Sequence, residues 1–317
     1  MIFAAKVKKR KVKRRKKSPI IRVLNILLLI VIGGIFYSFG VSSYENIEVN
    51  AEINAFKARA TYEIGVELEY YAGIYQKRVY HVVPRETSDE LNDTRSVFYD
   101  QTHRYLGQNG DIFLTQQSPF PQSPLMNMFM SYYFGGHAAF KSDHNTFYEA
   151  TGMVDTFDEV LQAIKDPGDG STGADMFANE TNTNYWLSPT FRTETNNQYP
   201  YFGNYYRTEF VGVRVKNITD ETLTKLNDFG DQVNDTALYN YLFFLDMKDK
   251  YYCTDLVSRA YQSAMVDEEN QKQYSTVLND DGFITSVNDI ILSNETYIIF
   301  YVEIIDDVVH IYHLEDI

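Results

Sequence analysis

From Val23 to Val41 the chain is apolar at nearly every position, broken only by Asn25, Ser38 and a few glycines. At ~1.5 Å per residue a helix of that length nearly spans a hydrocarbon core of ~30 Å, and Ile20 and Ile21 extend it. The pattern predicts one transmembrane helix over residues 19–41. Beyond it, Ala51 to Tyr80 is rich in helix formers with few turn signals, which predicts a stalk helix within a connector over 42–100. Apolar clusters of strand length then begin at Asp111 (DIFLT), His137 (HAAF), Phe147 (FYEA), Phe210 (FVGVRV), Tyr297 (YIIFYVEII) and Val308 (VVHIYHL). Helical spacing recurs in Val154–Lys165, Thr222–Gln232 and Thr254–Met265. Residues 166–206 hold no sustained period and are crowded with Asn, Thr, Gly, Pro and Tyr. So long a stretch without an element is unusual inside a domain, so an insertion or active-site lid is expected there, with disorder as the alternative. Strands and helices in non-alternating order predict an α+β domain over 101–317.

Charge sharpens the reading of the N-terminus. Residues 1–22 carry eleven Lys and Arg and no acid, and ten of the twelve residues from Lys6 to Lys17 are cationic. A basic flank directly before an apolar span sets orientation, which makes residues 1–18 a cytoplasmic tail and puts the body outside. Two other readings compete: a nucleic-acid-binding tail and a cleavable signal peptide. The second needs a shorter apolar core and a small-x-small site, and none stands out between Gly40 and Ala60. After residue 22 the remaining 18 bases face 43 acids, which argues against nucleic acid as a partner of the body. Fifteen per cent aromatic residues rule out wholesale disorder. The single cysteine, Cys253, excludes an intrachain disulfide framework and any Cys-rich zinc site. It also lies too far from the span to be a lipid-anchor cysteine.

Cys253 precedes a helical stripe of Leu256, Val257, Ala260, Tyr261 and Ala264, so it stands at a helix N-terminus. Such a position lowers a thiol's pKa, while Asp255, close by, opposes the shift. A buried structural cysteine is the alternative. Upstream, Gly135-Gly-His-Ala-Ala-Phe140 and Phe147-Tyr-Glu-Ala150 flank a turn, KSDHNT, and read as a β-hairpin bearing His137 and Glu149. An odd turn sets both side chains on one face, and an even turn separates them. A histidine beside an acceptor has its tautomer and orientation fixed. The other histidines (His81, His103, His144, His310 and His313) are scattered. The run DPGDGSTGAD from Asp166 to Asp175 invites calcium but lacks EF-hand spacing, which favours a solvated turn. No metal or cofactor is expected. Sequons at Asn92, Asn179, Asn217, Asn234 and Asn294 matter only in a glycosylating host.

Taken in order, Gly110-Asp-Ile-Phe-Leu-Thr115, Gly136-His-Ala-Ala-Phe140, Tyr148-Glu-Ala150 and Tyr252-Cys-Thr-Asp-Leu-Val257 resemble the circularly permuted papain-like hydrolases of the YiiX/YaeF type, relatives of the NlpC/P60 and lecithin:retinol acyltransferase groups. Phe283-Ile-Thr-Ser-Val-Asn-Asp-Ile-Ile291 follows, before an apolar strand. The resemblance runs from about Asn109 onward, interrupted by residues 166–206, and Thr254-Asp255 replaces the family's Ser-Glu. It implies that Cys253 is a nucleophile, His137 its general base and then acid, and Glu149 the residue that orients His137. The backbone N–H of Cys253 is then a candidate oxyanion donor. A membrane-anchored cysteine amidase or peptidase acting through a thioester is the function so implied. Cell-wall peptide is the first substrate class and a lipid ester or amide the second. The thiol, beside an imidazolium, is expected to react already at pH 6. The aromatic residues of the lid (Tyr185, Trp186, Phe191, Tyr199, Tyr201, Phe202, Tyr205 and Tyr206) would serve either substrate class, by stacking on sugar or by burying an acyl chain. The contrary hypothesis is a non-catalytic surface-binding module in which Cys253 is incidental.

Overall fold

A computed structural model describes residues 19–71, 74–118, 124–133, 135–152, 156–181, 184–187, 208–279 and 284–316. The chain divides into two compact units between Val41 and Ser42. The first holds the apolar part of one long helix, α1 (Pro19–Ala58), whose side chains up to Val41 are almost all exposed. It is long and apolar enough to cross a bilayer, and a signal sequence has the same features. The basic tail, residues 1–18, lies outside the described residues.

The second unit is α+β and is built on a mixed nine-stranded sheet. The chain enters it through the end of α1, whose Val49, Ile53 and Phe56 are buried in the core. Here the structure departs from the sequence expectation of a stalk helix from Ala51 to Tyr80. The helix stops at Ala58, and β1 (Tyr62–Tyr71) and β2 (Ile74–Val83) form an antiparallel hairpin. The reason lies in Tyr62-Glu-Ile-Gly-Val-Glu-Leu-Glu69, which alternates with period two. Its helix-forming Glu and Leu residues satisfy that alternation as well as they satisfy a helix. Next come α2 (Ser88–Asn92), β3 (Ile112–Thr115), α3 (Pro124–Tyr133), β4 (His137–Lys141) and β5 (Phe147–Ala150). The chain continues through α4 (Phe157–Lys165), β6 (Ala178–Thr181), β7 (Glu209–Val215) and α5 (Asp220–Val233). A short parallel pair, β8 (Leu238–Tyr239) and β9 (Lys250–Tyr251), precedes α6 (Cys253–Met265) and α7 (Val287–Leu292). Strands β10 (Thr296–Ile305) and β11 (Val308–Leu314) complete the sheet.

The strand order is β1-β2-β11-β10-β7-β3-β4-β5-β6. Every pairing is antiparallel except β11 with β2, which run parallel. Residues 62–71 and 74–83 are therefore part of the sheet. The expected unstructured insertion is also partly ordered, because β6 pairs with β5 from Phe147↔Thr181 to Ala150↔Ala178. Around Phe113 the core is aromatic: its ring centre lies 4.7 Å from Phe147, 4.9 Å from Phe300 and 5.4 Å from Trp186.

The Gly-Asp that opens β3 has a structural role. Asp111 and Arg214 of β7 are both fully buried and form a fork-to-fork pair, Nε–Oδ1 at 2.7 Å and Nη2–Oδ2 at 2.8 Å. The guanidinium also donates to Asp93 Oδ2 at 3.1 Å and to the carbonyls of Arg95 and Ser96. These acceptors hold its pKa above the usual arginine value even though burial opposes the charge.

Candidate active site

Two glycines shape the entry to β4. Gly135 has φ +77, in the left-handed region, and a Cβ on Gly136 would stand 1.7 Å from the carbonyl oxygen of Gln117. Gly136 N–H donates to Thr115 O at 2.8 Å, so the chain enters β4 pressed against the end of β3. His137 follows directly, in register with Thr115. Lys141 pairs with Phe147 and Ala139 with Glu149, which leaves a five-residue turn, 142–146. The turn is odd, so His137 and Glu149 project from one face.

The two side chains meet there. His137 Nε2 lies 2.7 Å from Glu149 Oε2, and both residues are buried. Tyr185 Oη donates to the same carboxylate oxygen at 2.5 Å, and Thr181 Oγ1 donates to Oε1. Trp186 lies nearly parallel to the imidazole, centre to centre 5.9 Å. The segment carrying these aromatics is pinned by Asn184, whose amide donates to Leu106 O at 3.0 Å and Asn145 Oδ1 at 2.9 Å. Lys141 Nζ donates to the same two acceptors. Tyr185 and Trp186 are thus buried beside His137 and Glu149. The other aromatics of the expected lid, from Phe191 to Tyr206, lie outside the described residues. Sequence spacing gives no signal for Tyr185 or Thr181, because neither contact exists until β6 docks on β5.

Cys253 is the first residue of α6 and is half-buried. Its helix begins without a side-chain cap, since Tyr252 supplies none. Thr254 Oγ1 donates to Thr285 O at 2.6 Å, and the Thr285 N–H donates to Tyr252 Oη at 3.0 Å, which ties this end of the helix down. Helix α6 packs against β4, and the backbone N–H groups of Ala138, next to His137, of Thr254 and of Cys253 itself lie near enough to favour the thiolate. His137 and Glu149 are therefore paired, and Cys253 opens the helix that packs on their two strands. The direction of the thiol shift is the reverse of the expected one. Burial pushes the thiol up to about 11; the three N–H donors lower it and the Glu149 charge raises it further.

The single thiol reports on itself. Alkylation of the resting protein by iodoacetamide at pH 7 is expected to be ~10²-fold slower than that of a free thiol, with the rate still climbing above pH 9. A rate that levels off below pH 8 would instead reveal a preformed thiolate–imidazolium pair.

Asp255 also sits in the first turn of α6, only 3% exposed, and its Oδ2 has no hydrogen-bond partner. Arg259 Nη1 stands 3.6 Å away. Burial raises its carboxyl to about 7, against the pull of Arg259. The unfolded chain ionises near ~4, so stability falls as pH rises from there to about 7 and stays reduced above it. Asp255→Asn is expected to gain on the order of 2 kcal/mol at pH 8, with the advantage vanishing near pH 4. Urea unfolding at the two pH values measures this, and a pH-independent difference would refute it.

Elsewhere, both oxygens of the Asp166 carboxylate are filled by hydrogen-bond donors: Gly168, Asp169 and Gly170 N–H on one, Thr172 N–H and Oγ1 on the other. It caps a turn. His81 and His310 face each other across β2 and β11, Nε2 to Nδ1 at 3.1 Å, away from the Cys253 cluster in the strand order. No group of three or more metal-ligating side chains occurs among the described residues. Comparison of the chain with protein-family models, with curated proteins and with solved structures gave no match.

Proposed function

We propose that this chain is a membrane-anchored cysteine hydrolase, an amidase or peptidase in which Cys253 attacks, His137 moves the proton and Glu149 orients His137. One observation carries the reading: His137 Nε2 sits on the Glu149 carboxylate while α6, which begins at Cys253, packs against the two strands that carry them, β4 and β5. With Nε2–H donated to Glu149, the lone pair is on Nδ1, the base. The high thiol pKa means that the proton leaves sulfur during attack rather than before it. Nδ1 takes that proton as sulfur bonds to the substrate carbonyl carbon, and the oxyanion faces the uncapped N–H groups of α6. Collapse expels an amine or alcohol that carries the proton away, leaving a thioester. Water, deprotonated by His137, then cleaves the thioester and releases the acid and the thiol.

The order of motifs along the chain supports a circularly permuted papain-like (NlpC/P60) domain. The basic tail before α1 supports a cytoplasmic N-terminus and an extracytoplasmic body. Cell-wall peptide is the first substrate class. A lipid ester or amide is the second, favoured by α3, a helix without charge that leads into β4 and exposes Leu125 and Met128. A protease added to intact cells is expected to release a reporter fused after Ile317, and full protection in sealed cells would contradict this orientation.

Capture of the thioester tests the chemistry. Purified protein is mixed with a panel of activated peptide and fatty-acyl esters, quenched in acid and weighed by intact mass spectrometry. An acyl adduct on Cys253 is expected, absent from Cys253→Ala. A folded protein that forms no adduct and turns over no member of the panel overturns the assignment in favour of a binding module.

A further inference from the structure

Strand β1 is a free edge of the nine-stranded sheet, ten residues long and paired on one side only. Native edges of this length are normally blunted by lysine, proline, a covering element or an inward charge. Here the even positions present Tyr62, Ile64 and Val66, with 57%, 50% and 36% of their surface exposed. The odd positions carry Glu63, Gly65, Glu67 and Glu69, so the edge is apolar on one face and acidic on the other. On its paired side Glu67 stands opposite Lys77, and Glu63 Oε2 lies 3.6 Å from His81 Nδ1. Among the described residues no strand pairs with the other side of β1.

We propose that the β1 edge is a docking site for an extended segment of a partner protein, one that alternates basic and apolar residues and adds as a tenth strand. Its apolar side chains extend the Tyr62–Ile64–Val66 row, and its cations lie beside Glu63 and Glu67. A second copy of this chain fits worse. Any antiparallel self-pairing centred on Gly65, Val66, Glu67 or Leu68 sets one glutamate directly opposite another, an arrangement that destabilises a sheet.

Three ten-residue peptides of equal length test this on the full chain in nanodiscs: alternating Lys-Val, alternating Glu-Val, and a Lys-block/Val-block isomer of the first. The alternating Lys-Val peptide is expected to bind at least tenfold more tightly than its block isomer and to slow amide exchange over residues 62–71. The Glu-Val peptide is expected not to bind. Val66→Lys, which puts a charge in the apolar row, is expected to weaken binding at least tenfold, and Glu63→Lys with Glu67→Lys to transfer the preference to the Glu-Val peptide. Equal binding of the two Lys-Val isomers reduces the effect to surface charge and overturns the proposal. So does the absence of binding. Concentration-dependent dimers that Val66→Lys abolishes would assign the edge to a second copy instead. Should the variants fail to fold, the three peptides on the wild-type chain still separate strand addition from surface charge.

Discussion

Cys253→Ala is expected to abolish turnover and acyl-adduct formation, because no other cysteine exists in the chain to carry the thioester. His137→Ala is expected to lower kcat/KM by ~10²–10⁴, the usual contribution of a general base. Glu149→Gln keeps an acceptor for the imidazole and for Tyr185 and loses the charge that favours imidazolium, so an intermediate loss is expected. Tyr185→Phe removes one of the donors to Glu149 and should shift the pH profile of kcat/KM more than its height. These effects belong to one hydrogen-bonded unit, so they will not add. Initial rates on whichever panel ester forms an adduct measure all four, with thermal melts to show that each variant is folded. Wild-type turnover by Cys253→Ala would end the nucleophile assignment outright.

Arg214→Met is expected to cost ~3–5 kcal/mol, because it leaves the fully buried Asp111 carboxylate with its ion partner gone. That is a large fraction of the ~5–15 kcal/mol by which folded domains are ordinarily stable, so much of the population would be unfolded at 37 °C. Asp93 suffers less, since Arg95 at 3.0 Å and Tyr297 at 2.5 Å remain. Replacing both members of the pair, Arg214→Met with Asp111→Leu, removes the orphaned charge and is expected to recover most of the loss. Urea midpoints of the single and double variants measure this. A double variant no more stable than the single one would show that the pair is held by shape rather than by charge.

All six strand-length apolar clusters are strands, because each is flanked by turn residues and buried on at least one face. The three stretches of helical spacing coincide with α4, α5 and α6 to within a few residues. The placement of His137 and Glu149 on a hairpin and of Cys253 at a helix start was legible because both are local features. What failed was non-local. Residues 62–71 and 74–83 look helical in composition, and the pairing that joins their hairpin to the rest of the sheet, β2 with β11, spans more than two hundred residues. Tyr185 and Thr181 reach Glu149 only once β6 has docked on β5. The thiol shift has the same origin: a helix N-terminus and a histidine can be read from the sequence, but the desolvation that outweighs them depends on how closely α6 packs on β4 and β5.

The parallel pairing of β2 with β11 bears on how the protein is made. As the chain emerges, the β1–β2 hairpin can close on itself, but the strand that joins it to the rest of the sheet follows more than two hundred residues later. Until β11 arrives, β2 has an open flank. Contacts of such long sequence separation form slowly, and unpaired flanks are where growing chains stick to one another. A truncation before Val308 would therefore do more than shorten β10's sheet. It would leave the hairpin permanently without its neighbour, in a molecule otherwise able to assemble the strands around Cys253.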